Sequence, residues 1–157
     1  MNICLNETNF SLDNLQFLET KHNMIMNGLF TKIIYSEHTF TMNGIYLLFP
    51  IQLDSIKNNV AYFDIKDEFN QHCIRRFSDL EDNILTYYKD FFYRHDNKIV
   101  THLSKQLRCG YFKLNHHTHE PFTFSIDKPC LLKIAGVWLN GENLGLTYKF
   151  LQCDLFV

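Results

Sequence analysis

The chain predicts an α+β fold, mostly β: a small antiparallel barrel or Greek-key sheet with one main amphipathic helix at about 79–93. Three observations predict it. Runs of β-branched and aromatic residues lie on both sides of a single stretch with helical periodicity. The first group of runs is broken by short polar segments, as strands in a meander are. The last group closes with "CLLKIAGVWLNGENLGLTYKFLQC" at 130–153, two apolar arms around a segment containing Asn140-Gly141, which reads as a hairpin.

Taken in order, residues 9–22 place Leu12, Leu15 and Leu18 at helical spacing after Ser11, an N-cap residue type, and predict a short helix on one edge of the fold. Strands follow at 30–36, 39–42 and 44–52, separated by "SEH" and "MNG", and another at 60–65 after Asn58-Asn59. The period then changes. Phe77, Leu80, Ile84, Tyr88 and Phe91 recur at intervals of three and four, one face of a helix. Ser78-Asp79-Leu80-Glu81 reads as its capping box, and Asp79, Glu81 and Asp82 suit the positive end of the helix dipole. Strand character returns in "IVTHLSKQLRCGYFKLNHH", in "EPFTFSID" and in the closing hairpin. This order matches an OB-fold, a five-stranded Greek-key barrel with its helix between the third and fourth strands. Strands at 30–36, 44–52 and 60–65, the helix and the hairpin 130–152 fill its places, leaving the residues between helix and hairpin as an insertion.

At 157 residues the chain suffices for one domain, 1–157, with a full core. Its apolar runs, such as 44–51 and 130–139, are shorter than the roughly 20 residues that span a bilayer. The start "MNICLNETNFSLDN" has neither a basic segment nor an apolar block, so the expectation is a soluble, intracellular protein with no membrane partner. In such a chain the glycosylation patterns at Asn6 and Asn9 carry no meaning. Five cysteines without a C-x-x-C pair point to free, buried thiols rather than a disulfide framework or a zinc knuckle.

A net charge of −2 excludes a protein that coats duplex DNA by charge alone. Its distribution is uneven: residues 1–93 carry 7 Lys/Arg and 12 Asp/Glu, residues 94–157 carry 8 and 5. A polyanion partner suits the second half, and ordinary variation among solvated faces explains the same numbers.

In the second arm of the hairpin Leu144, Leu146, Tyr148 and Phe150 share one face, and Gly145, Thr147, Lys149 and Leu151 the other. Loop length decides how the arms combine. A two- or four-residue loop sets Trp138 beside Thr147 and Lys149, an aromatic plate next to a cation, as single-stranded nucleic acid uses. A three- or five-residue loop sets Trp138 among core residues and groups Lys133 with Lys149. Gly136 and Gly145 then relieve crowding against bulky cross-strand neighbours or mark bends.

"LSKQLRCGYFKLNHHTH" interleaves Lys105, Arg108, Tyr111, Phe112 and Lys113, a composition shared by single-strand grooves and by edge strands guarded with lysine. His116, His117, His119 and Glu120, with His95 and His102 upstream, are the densest set of metal-ligand types and the one visible route to an enzyme, a metal-dependent hydrolase. Beside Pro121 they also read as a solvated loop, and neither a metal nor another cofactor is expected. The phosphate-loop, dinucleotide and nucleophile-elbow motifs are all missing.

"NGIYLLFPI" at 43–51 together with 131–153 resembles OB-fold single-stranded DNA-binding proteins of large DNA viruses and of some phages. The G-x-W and G-L-x-x-K-F elements carry the likeness: Gly136, Trp138, Gly145, Leu146, Lys149 and Phe150. It implies a viral, non-enzymatic protein of DNA replication. Such proteins often end in an acidic tail with a terminal aromatic; "CDLFV" keeps Phe156 but only Asp154, a departure from that pattern. The resulting expectation is a binder of single-stranded DNA or RNA using Trp138, Lys133 and Lys149, with Tyr35, Arg108, Tyr111 and Lys113 in support. The alternative class is a viral structural or interaction β protein that forms homo-oligomers through aromatic surface.

Overall fold

The computed structural model of the protein describes residues 4–23, 25, 27–116 and 122–152, and in them ten strands form a mixed sheet accompanied by two helices. The fold is α+β and mostly β. Strands β1 (Leu15–Asn23), β2 (Gly28–Ser36), β3 (Thr41–Met42), β4 (Ile45–Phe49), β5 (Ser55–Lys57) and β6 (Val60–Tyr62) precede helix α1 (Glu68–Phe91). After it come β7 (Lys98–Ile99), helix α2 (His102–Arg108), β8 (Tyr111–His116), β9 (Cys130–Asn140) and β10 (Asn143–Gln152). The sheet runs β1-β2-β9-β10-β8-β6-β5, with β3 on β2, β4 on β9 and β7 on β10. Its two ends, β1 and β5, do not pair among the described residues, so the sheet is not closed into a barrel. Most pairs are antiparallel, but β10 runs parallel to both β7 and β8. No helix among the described residues is long and apolar enough to cross a membrane.

Four local expectations are corrected. Residues 9–22 are not a helix: Ser11 caps only a 3-10 turn at Leu12–Asn14, and β1 follows. Three leucines at helical spacing were outweighed by Phe17, which packs against Tyr87, Tyr88, Phe91 and Phe92 of α1 and its C-cap only from an extended strand. Helix α1 begins at Glu68, not 79. Asp67 is the true cap, accepting a bond from the Asn70 amide at 3.0 Å. The apparent box at Ser78 lies mid-helix, where the Ser78 hydroxyl has no hydrogen-bond partner. The stretch after residue 99 is α2 followed by β8 rather than a run of strand, because Leu103 and Leu107, one turn apart, are both fully buried. Residues 122–127 form no strand.

Alternation along the strands sends one set of side chains toward α1. Phe49 lies at the centre, its ring 4.8 Å from Phe77, 5.6 Å from Phe112 and 5.0 Å from Phe150. The fully buried side chains of Thr31 and Asn70 are hydrogen-bonded on this side. Thr31 bridges Thr20 and Tyr88 through hydroxyl contacts of 2.7 and 3.0 Å. The Asn70 side chain accepts from the Gln52 amide and donates to the Gln52 and Asp64 carbonyls, tying the start of α1 to the loop before β5.

Candidate functional site

The β9–β10 hairpin decides the other side of the sheet. Asn140 pairs with Asn143, leaving the two-residue loop Gly141-Glu142, with Gly141 at φ +58 as such tight turns require. Trp138 therefore stands opposite Gly145, and Gly136 opposite Thr147. The register then shifts: Ile134 pairs with Tyr148 and Lys133 with Lys149, so Ala135 is the extra residue of a β-bulge. Trp138 and Lys133 would point to opposite sides of a regular strand. The bulge puts them on the same one. The two-residue loop realises the first arrangement, with Trp138 on the face of Thr147 and Lys149 and not in the core, and the bulge adds from the second only the grouping of Lys133 with Lys149.

The same parity carries across the sheet. Phe30 pairs with Trp138 and Lys32 with Gly136, while Tyr46 pairs with Lys133. On the far side Phe112 and Leu114 join the core, so Tyr111 and Lys113 face outward, and Tyr62 is opposite Tyr111. Lys21, opposite Phe30, and Lys57, opposite Val60, complete the set. The outer face thus gathers Lys21, Lys32, Lys57, Lys113, Lys133 and Lys149 with Phe30, Tyr46, Tyr62, Tyr111 and Trp138. Glu19 is the one carboxylate within any of the ten strands. None of the six lysines makes an ion pair among the described residues. Helix α1, by contrast, carries Glu68, Asp79, Glu81, Asp82 and Asp90 against Arg75, Arg76 and Lys89.

Two glycines shape this surface. A Cβ at Gly145 would sit 2.5 Å from Cζ2 of Trp138, and one at Gly136 2.6 Å from Cζ of Phe30. Both rings lie flat on the sheet because these positions have no side chain. Lying across β10, the indole reaches His102 at the start of α2, with ring centroids 5.6 Å apart and planes inclined by 31°. Trp138 is half-buried, neither sealed in the core nor standing free. The Lys133 ammonium is 5.2 Å from the Tyr46 ring centroid, a cation–π contact.

Five of the seven expected residues, Trp138, Lys133, Lys149, Tyr111 and Lys113, share this face. Two do not. Tyr35 points into the core with no exposed surface, and its hydroxyl accepts from the Ser11 amide and the Asn14 side chain, so it offers no ring to a ligand. Arg108 ends α2 and borders a shallow hollow with Gln71, Ile74 and Arg75 of α1. Lys21, Lys32, Lys57, Phe30, Tyr46 and Tyr62 were missed. Their signal was present: single lysines embedded in apolar strand runs with almost no acid nearby. Of the proposed metal ligands, residues 117–120 lie outside the described residues, and His116 packs its ring 4.3 Å from Phe122.

One other cluster has the residue types of an active centre. Glu81, without exposed surface, accepts bonds from the Leu103 amide at 3.0 Å and from the Ser104 amide and hydroxyl at 2.8 and 2.7 Å. Here a side chain of α1 caps α2, whose own N-cap Thr101 makes no side-chain bond. Tyr148 donates to Gln106 at 2.7 Å, and burial, followed by the Glu81 charge, pushes its hydroxyl up to about 12. Burial likewise pushes the Cys73 thiol up to about 12, which makes it inert. Every group in the Glu81 cluster is bonded internally, as structural polar groups are.

Comparison with protein-family models, with curated proteins and with solved structures returned no match.

Proposed function

We propose that the protein binds single-stranded nucleic acid on the outer face of its sheet and does so without catalysis. The observation that carries this reading is the outer face itself: six lysines without ion-pair partners among the described residues, interleaved with aromatic rings, on a sheet whose strands hold one acid. Lysines at this density attract phosphates, and flat rings accept bases that are free to unstack. Duplex DNA hides the faces of its bases, so the aromatic half of the surface favours single strands. The likeness of residues 43–51 and 131–153 to OB-fold single-stranded DNA-binding proteins of large DNA viruses supports the same reading, with the open sheet as a variant of that barrel and a role in viral DNA replication as its setting.

Trp138 is the one tryptophan of the chain, so its fluorescence reports on this face alone. Oligo-dT added at low salt is expected to quench it, and Trp138→Ala to weaken binding by roughly tenfold or more. Absence of oligo-dT binding at low salt would sink the proposal. A second reading, a β protein that assembles with copies of itself, draws on the open sheet edges and on Phe91 and Tyr93, which are 55% and 85% exposed. Mass in solution with and without oligonucleotide separates the two.

A further inference from the structure

The lysines of the outer face are ordered. Lys57 pairs with Val60 across β5 and β6, and Val60 with Lys113 across β6 and β8. Strands β8 and β10 run parallel with Leu114 beside Phe150, which sets Lys113 beside Lys149 one step back along the same register. Lys149 in turn pairs with Lys133 on β9. Four lysines therefore stand on one line at right angles to the strands, interrupted only by Val60. Like charges directly opposite one another destabilise a sheet, and no carboxylate among the described residues relieves them. A polyanion laid along the line would.

The two sides of this line differ. On one side the next outward residues, Leu131 and Leu151, are closed off at 6% and 1% exposure. On the other, Tyr62 and Tyr111 are 40% and 49% exposed and face each other with ring centroids 6.1 Å apart. Among the described strand residues beside the line, the exposed rings are on that side.

We propose that a single strand crosses the sheet at right angles to the β-strands, its backbone on Lys57, Lys113, Lys149 and Lys133 and its bases turned toward Tyr62 and Tyr111. The inference rests on the sheet-face reading above and adds the path, the polarity across the path and the site size. With neighbouring strands ~4.8 Å apart, the line spans about 19 Å. That length suits about four nucleotides, the low end of single-strand sites on related sheets. Backbone contacts and stacking read no base edge, so binding is sequence-neutral.

The test is a titration of labelled oligo-dT of about 2 to 12 nucleotides against the full chain over a series of salt concentrations. Lys57→Ala and Lys113→Ala are compared with Lys21→Ala and Lys32→Ala, which lie on the same face but off the line. Each on-line substitution is expected to lower the magnitude of the salt slope by about 0.7 and to weaken dT and dC oligomers equally, while Lys21→Ala and Lys32→Ala, on the same face but off the line, lower it by less. Affinity should climb steeply with length up to about four nucleotides and slowly beyond. Unchanged slopes for Lys57→Ala and Lys113→Ala, in a wild type that binds oligo-dT, would overturn the line and leave the sheet-face reading standing. A wild type that binds no oligo-dT removes both.

Discussion

The two sides of the sheet treat charge in opposite ways. Toward the helices, the fully buried carboxylate of Glu81 has three donors around it, and hydroxyls such as Tyr88 and Tyr148 are bonded at 3.0 and 2.7 Å. On the outer side, lysines face lysines with no counter-ion among the described residues. The first arrangement is complete in itself and holds the fold together. The second carries a repulsion that folding alone does not need, which is the ground on which a polyanion partner is proposed for it.

Breaking the complete side should have the largest effect. Glu81→Ala leaves two amides and the Ser104 hydroxyl buried without an acceptor, at a cost of about 3–5 kcal/mol. In a chain of this length that lowers the melting temperature by about 10 °C. A loss under about 1 kcal/mol in denaturant unfolding would mean that α2 is not held by this carboxylate.

An alkaline shift should act on the same side. The Tyr148 hydroxyl and the Cys73 thiol both titrate at about 12 in the folded chain, above their ordinary values of 10.0 and 9.0. In the window from about 9 to 12 the unfolded chain has lost protons that the folded chain still holds, so stability falls as pH rises through it. Tyr148→Phe should flatten the upper part of that fall. Denaturant midpoints at intervals across this window measure it; a wild type as stable at the top as at the bottom would contradict the burial of both groups.

The smallest effect sharpens the contrast through its sign. Lys149→Ala removes one member of the Lys133–Lys149 pair and should raise stability by a few tenths of a kcal/mol at low salt, while weakening oligo-dT binding. Added salt should erase the gain in stability. A variant less stable than the wild type at low salt would show that the pair is not repulsive in the folded protein.

Much of this was legible in the residues. The main strands of the first half, the existence of α1 and the hairpin follow from the periods of two and 3.6. Trp138, Lys133, Lys149, Tyr111 and Lys113 were legible as rings and cations in extended segments. The start of α1 was not, because Ser78 and Glu81 have the spacing of a cap while Glu81 is committed to a different helix, and local spacing holds no information about a partner 22 residues away. Residues 9–22 failed for a similar reason, since the pocket that receives Phe17 is built by the far end of α1.

The sequence by itself determined the alternation within each strand, the scarcity of acids among strand residues and the side-chain types available for binding. The tertiary structure alone decided which of those residues meet. A single extra residue, Ala135, reverses the parity of β9 midway, and strand order brings Lys57 and Lys113 into line with Lys149 and Lys133. Alternation is a property of neighbouring bonds, whereas register and the side on which a bulge leaves each residue are set by hydrogen bonds between distant segments.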